Sequence, residues 1–235
     1  MTHGFTGAPY EMHWLGRQLA DRGYTTLGVR LFAHATDQND LKRARREDWK
    51  ASILDGYALL QSQCDNIFMI GLSMGGVLTL SLAPQLDVKG VVVMATPIEV
   101  PDKMARRLRP IIPILSLVMP TMSKGEAHWA DPSAGDGHVE YPEFIVAAVT
   151  QLSDQIKEMR GQLPQVRCPT LLLASHADRS VSIEHSQRIL NKLGAIDKQR
   201  VLFESSSHNM PVDAERDRIL EETITFIERV MRDTL

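Results

Sequence analysis

Six residues, Gly71-Leu72-Ser73-Met74-Gly75-Gly76, constrain the fold more than any other stretch of this chain. They follow the apolar run Asn66-Ile67-Phe68-Met69-Ile70, which reads as a buried strand, and lead into Val77-Leu78-Thr79-Leu80, which reads as a helix. In that setting G-x-S-x-G is a sharp strand-to-helix turn that lifts a serine hydroxyl above the carboxyl edge of a sheet. Its backbone is too crowded for side chains beside the serine, which accounts for Gly71 and Gly75. The first helical turn then points its free N–H groups at whatever Ser73 attacks. A glycine-rich helix entry with an inert serine is the bland alternative. Strand and helix on either side favour a nucleophile.

The rest of the chain alternates helix and strand, the pattern of a mostly parallel sheet flanked by helices. Pro9 opens a helix in which Met12, Leu15 and Leu19 recur at helical spacing, and Asp21-Arg22-Gly23 ends it. Tyr24 to Leu31 reads as a strand, and Trp49, Ile53, Tyr57 and Leu60 mark the buried stripe of the next helix. Further strands are expected over Gly90 to Ala95, Pro169 to Ser175 and Gln199 to Glu204. The closing helix runs from about Asp213 to Arg232, with Leu220, Ile224, Ile227 and Met231 facing inward.

Between Pro97 and about Pro164 the alternation stops. This insertion leaves the sheet after one strand and returns before the next, so a helical cap over Ser73 is expected at about residues 98–164. Its apolar run from Ile111 to Met119 is too short to span a membrane. It reads as packing, or as the lip of an acyl-binding site in transient contact with lipid aggregates. The longer amphipathic helix beginning between Phe144 and Leu152 anchors the cap. The whole chain, residues 1–235, reads as one domain with this insertion.

A serine hydroxyl is a weak nucleophile at neutral pH, so it needs a base, and the base needs an acid to orient it. Asp178 follows the strand ending at Ser175, and His208 follows the strand ending at Glu204. Both therefore fall on the sheet edge that carries Ser73, where ligands bind in open α/β sheets. Eight histidines compete for the role of base. His13 lies in the first helix, His128 and His138 lie in the insertion, and His185 reads as a solvated residue on the helix after Asp178. His176 precedes the acid and breaks the order Ser, Asp, His. His208 is the base of choice.

Acyl transfer also needs two N–H groups aimed at the developing oxyanion. Met74, the residue after the nucleophile, supplies one from its backbone. His3-Gly4-Phe5-Thr6-Gly7 is a glycine-rich turn of the right kind for the other, from the Phe5 N–H. Gly4 allows close approach, and the Phe5 ring would help wall an acyl pocket.

HGFTG, GLSMGG, the Asp178 loop and Ser207-His208-Asn209 together resemble the bacterial carboxylesterase and monoacylglycerol lipase group of α/β-hydrolases. The likeness extends through Asp48-Trp49-Lys50-Ala51-Ser52 and Gly56-Tyr57, and through Leu152 to Leu173. The resemblance implies Ser73, Asp178 and His208 as triad, Phe5 and Met74 as oxyanion donors, and no cofactor or metal. It also implies short-to-medium acyl esters or monoacylglycerols as substrates. Glu140, an insertion carboxylate, is a candidate for receiving glycerol hydroxyls, against a plain surface role. Two departures stand out. Ala33-His34-Ala35 occupies a turn where the family usually carries Gly-His-Gly. The chain as given also begins two residues before the HG turn, whereas the family fold has an apolar strand there and two more upstream. The resemblance thus implies N-terminal strands that are missing here, with Met1 and Thr2 giving the turn almost no support.

The net charge of −3 with mixed signs argues against nucleic acid as the main partner. Lys42-Arg43-Ala44-Arg45-Arg46 reads as a solvated helix approach balanced by Glu47 and Asp48. Cys64 and Cys168 lack metal-ligand spacing and suit a reducing cytoplasm; a signal peptide would be hidden if the true start lies upstream. The expected activity is a serine hydrolase acting on small-molecule carboxylic esters. A thioesterase or amidase with the same triad, and a non-catalytic binding protein on this fold, are the alternatives.

Overall fold

The computed structural model describes residues 1–100, 119–125 and 128–233. Its strands are β1 (Phe68–Leu72), β2 (Gly90–Met94), β3 (Thr121–Ser123), β4 (Glu143–Ile145), β5 (Thr170–Ser175) and β6 (Lys198–Phe203). The longer described helices are α1 (His13–Ala20), α2 (Arg46–Gln61), α3 (Met74–Leu82), α4 (Val146–Gln162), α5 (Ile183–Lys192) and α6 (Arg216–Arg232). A parallel sheet runs in the order β1-β2-β5-β6, while β3 and β4 form a separate antiparallel pair.

The sheet is covered on both faces, and so β2 and β5 are buried along their whole length and apolar through their middles. Val91, Val93 and Leu172 pack with Trp49, Leu78, Ile156 and Ile189 from α2 to α5. Val92, Met94, Leu171 and Leu173 pack on the opposite face with Leu15 and Leu19 of α1 and with Ile219, Phe226 and Ile227 of α6. Each such side chain removed from water contributes about 1.5–3 kcal/mol. The strands are thereby fixed against sliding, because a one-residue slip would exchange the two faces.

Tyr24 to Leu31 is not a laddered strand. A ladder needs a neighbour, and among the described residues its backbone pairs on the β1 side with Met1 and Thr2 alone. Those two residues do more than expected for the turn that follows them. Thr2 pairs in parallel with both Val29 and Gly71. Its N–H donates to the Ile70 carbonyl at 2.8 Å, its carbonyl accepts from Leu72 N–H at 3.0 Å, and the Met1 carbonyl accepts from Val29 N–H at 2.9 Å. Next to them a cavity of about 210 Å³, lined by Leu27, Leu60, Phe68 and Ile70 among others, separates the segment from β1.

Within the expected cap, the described residues hold a short antiparallel pair as well as the helix α4. Alternating residues around Thr121 and Phe144 form the β3–β4 hairpin, and α4 begins only at Val146. Most of the apolar run from Ile111 lies outside the described residues. Lys124, Glu140, Phe144, Leu152 and Ile156 of the insertion share one cavity with Ser73, so this part of the chain does wall the serine. Helix α6 starts later than Asp213 because Asp213 and Glu215 bind loop amides instead. Among the described residues no helix is long and apolar enough to cross a membrane.

Candidate active site

Ser73 joins β1 to α3 with φ 53° and ψ −114°, a conformation that costs a non-glycine residue about 1–3 kcal/mol. The neighbouring packing holds it there. A Cβ on Gly71 would lie 2.4 Å from the Gly75 backbone, and one on Gly75 would lie 2.2 Å from the Thr2 carbonyl oxygen. Ser73 N–H donates to the Met94 carbonyl at 2.8 Å, which ties the turn to β2.

The structure brings Ser73, Asp178 and His208 together from three strand ends. Asp178 Oδ1 accepts from the N–H groups of Ser180 at 2.7 Å and Val181 at 2.9 Å. Its Oδ2 lies 2.9 Å from His208 Nδ1, and His208 Nε2 lies 2.9 Å from Ser73 Oγ. An ionised carboxylate can only accept, so Nδ1 carries the proton and Nε2 is left to accept from the serine hydroxyl. Burial lowers the proton affinity of His208, but Asp178, with smaller help from Glu11 and Glu140, raises its pKa above the ordinary imidazole value. The His208 loop is clamped by two carboxylates. Asp213 accepts from Ser207 N–H at 2.6 Å and from Asp131 N–H at 2.8 Å, and Glu215 accepts from Ser205 N–H at 2.7 Å.

The HGFTG turn faces this relay, and a Cβ added to Gly4 would lie 3.6 Å from Ser73 Cβ. His3 Nδ1 lies 2.8 Å from the Gly4 carbonyl, and His3 Nε2 accepts from Leu31 N–H at 3.2 Å. Among the described residues the N–H groups of Phe5 and Met74 have no acceptor. Ala33 and Ala35 adopt φ of 61° and 53°, the left-handed region that favours glycine. The alanine version therefore keeps the turn at a local cost, with buried His34 edge-on to Phe5 and Trp49.

The shared cavity measures about 430 Å³. Phe5, stacked on Phe144 with ring centroids 5.8 Å apart, gives it an apolar wall together with Val100, Leu152 and Ile156. Glu11, Lys124, His128, Glu140 and Arg179 make its other lining polar. Glu140 is not a plain surface residue: it pairs with Lys124 and lies 3.7 Å from His138 Nε2. Burial alone would raise its pKa, but His138 and Lys124 hold it down at about 2.

The remaining histidines go elsewhere. His176 is exposed beside Glu204, and His13 is exposed against Tyr10. His185 is buried rather than solvated, because its Nδ1 accepts from Ile98 N–H at 3.1 Å. Sequence reasoning missed Glu11, Lys124, Asp213 and Glu215. The only local signal for the last two is a pair of acids shortly after the histidine loop, which also reads as a helix start. Among the described residues no group of three or more His, Cys, Asp or Glu side chains is arranged to hold a metal ion.

The profile of the family described as Serine aminopeptidase, S33, matches residues 1–215. This chain belongs to that family. Its fold is that of the α/β-hydrolases. A thermostable monoacylglycerol lipase of Bacillus sp. (strain H-257) is 28% identical over 237 residues, spanning 97% of this chain and 89% of its own. A carboxylesterase of Bacillus subtilis (strain 168) is 27% identical across 98% of this chain and 92% of its own. A solved structure described under LipS and LipT, two metagenome-derived lipolytic enzymes, superposes with TM-score 0.89 at 28% identity. It covers 97% of this chain and 91% of that one. A monoacylglycerol lipase of Paleococcus ferrophilus, at 17% identity and TM-score 0.74, shares the fold.

Proposed function

We propose that this S33-family protein hydrolyses carboxylic esters through an acyl-enzyme on Ser73. The observation that carries the reading is the relay from Asp178 through His208 to Ser73, with both links at 2.9 Å. Ser73 Oγ attacks the ester carbonyl carbon while His208 Nε2 takes its proton, and Asp178 stabilises the resulting imidazolium. The oxyanion accepts from the N–H groups of Phe5 and Met74, each worth about 3 kcal/mol in the transition state. His208 then passes its proton to the leaving alcohol. Water then attacks the acyl carbon while His208 takes its proton, the bond to Ser73 Oγ breaks to release the acid, and His208 returns the proton to Oγ.

Substrate class follows from the walls of the cavity and from the relatives. The apolar side beside Phe5 and Phe144 suits an acyl chain of short to medium length. The polar lining at Glu140 and Lys124 suits the alcohol part, and monoacylglycerols fit both. Of the two Bacillus relatives, the one named a monoacylglycerol lipase supports that choice, and the one named a carboxylesterase supports ester chemistry in general.

The test has two arms. A fluorophosphonate should label the parent at Ser73 and leave Ser73→Ala unlabelled; failure to label the parent would favour a non-catalytic binding protein. One acyl group is then offered as ester, thioester and amide. The ester should be turned over at least tenfold faster than the other two. Preference for the amide or thioester would reassign the leaving group without touching the triad.

A further inference from the structure

Gly4 is the residue whose freedom matters most to the Phe5 N–H, because the Gly4 carbonyl and that N–H belong to one peptide plane. A glycine rotates on both sides with little steric restraint. Here both flanking planes are tied. His3 Nδ1 fixes the plane after Gly4 through its carbonyl. The plane before it is fixed by Glu11, whose Oε2 accepts from Gly4 N–H at 2.7 Å.

Glu11 is an unusual residue to find there. It lies on the short turn Pro9–Met12 ahead of α1, is 3% exposed and lines the cavity that holds Ser73 and His208. A carboxylate is costly to bury unless it is hydrogen-bonded or paired. Its other oxygen, Oε1, fills the space left by Gly7, where a Cβ would come within 2.0 Å of it. That oxygen also lies 4.0 Å from His138 Nε2. A glutamate needed only to start a helix would sit in water.

We propose that Glu11 is a positioning residue for ester hydrolysis: its carboxylate holds the His3–Gly4 peptide, restraining the rotation at Gly4 that would swing the Phe5 N–H off target, and its charge faces His208 across the cavity. The charged and titratable groups around the pair are Asp178 on His208, Glu140 and His138 beside Glu11, Lys124 on Glu140, and His128 and Arg179 on the cavity wall. Burial pushes the Glu11 pKa up, and the Gly4 bond and the nearby His138 and His208 oppose that rise. The proposal rests on Ser73 acting as the nucleophile.

Glu11→Ala and Glu11→Gln are compared with the parent on one p-nitrophenyl ester, with competent sites counted by fluorophosphonate titration. Per competent site, Glu11→Ala should lose at least tenfold in kcat with KM within about twofold, as a misaimed oxyanion donor demands. Glutamine can still accept from Gly4 N–H, so Glu11→Gln should recover most of that loss. It lacks the charge that favours the imidazolium, so its acid limb of kcat/KM should move to lower pH by roughly half a unit. A purely structural Glu11 would change melting temperature and the number of competent sites only. Parent-like kcat per site in Glu11→Ala overturns the proposal, as does an unmoved acid limb in Glu11→Gln. If Glu11→Ala fails to fold, the acid limb of Glu11→Gln decides alone. A Ser73→Ala control as active as the parent would instead overturn the functional reading, and this proposal with it.

Discussion

Ser73, Asp178 and His208 hang from β1, β5 and β6, strands laddered along their length, whereas the Phe5 N–H hangs from a turn preceded by the isolated bridges of Thr2. On the first side the backbone does the placing: register, two covered faces and a glycine-crowded elbow leave Ser73 one position. On the second side side chains do most of it, with one backbone bond from Tyr141. His3 and Glu11 tie the planes around Gly4, Lys124 Nζ donates to Thr6 Oγ1 at 2.7 Å, and the Thr6 carbonyl accepts from Tyr141 N–H at 2.9 Å. Changes to the three relay side chains themselves should therefore damage chemistry but not architecture, whereas Asp213 and Glu215 hold the His208 loop. On the turn side single side-chain changes should damage both chemistry and architecture.

The largest effect belongs to the relay. Asp178→Asn places an amide where only an acceptor serves, turning the imidazole to the wrong tautomer. Steady-state kinetics near neutral pH should show kcat reduced by about 10³–10⁴ with the fold retained. Next comes His3→Ala on the turn side, which removes the partner of the Gly4 carbonyl and leaves Leu31 N–H unpaired in the core. Denaturant unfolding should report a loss of about 2–4 kcal/mol, together with a tenfold or greater fall in kcat. A His3→Ala protein as stable as the parent would break the comparison.

The unequal legibility of the two sides in the sequence has the same origin. The elbow, the Asp178 loop and the His208 loop are local strings at strand ends, so strand periodicity and turn chemistry suffice to find them. Glu11, Lys124 and Tyr141 act across chain separations or through a single hydrogen bond, and no periodicity marks them. The segment from Tyr24 to Leu31 reads as a strand because its residues suit one. Whether it ladders depends on a neighbour, which composition does not reveal. The hairpin at Thr121 and Phe144 is short enough to be lost among the prolines and glycines around it.

A smaller effect concerns pH. Burial pushes the His3 pKa down to about 3 and that of His34 to about 4. Folded-state values below the unfolded value near 6.5 mean that the unfolded chain takes up these protons first. Their contribution to stability is complete above about pH 6.5 and is lost as pH falls toward those folded values, by at most about 1.4 kcal/mol per pH unit for each histidine. Urea unfolding of the parent and His3→Gln between about pH 7 and 4.5 should show a shallower slope in the variant. The same slope in both would remove His3 from the account. Smallest of all, Ala33→Gly should relieve a left-handed alanine and raise stability by up to about 1 kcal/mol, less the entropy glycine adds to the unfolded chain.

The central claim is that Ser73 carries the acyl group. Its most direct test is hydrolysis of one short acyl ester by the parent and Ser73→Ala side by side, with mass spectrometry of the fluorophosphonate-treated proteins. The account predicts a single adduct on the Ser73 peptide of the parent, none on the variant, and a rate lower by at least about 10³ in the variant. Near-parental hydrolysis by Ser73→Ala, or an adduct on another residue that tracks the loss of activity, would contradict it.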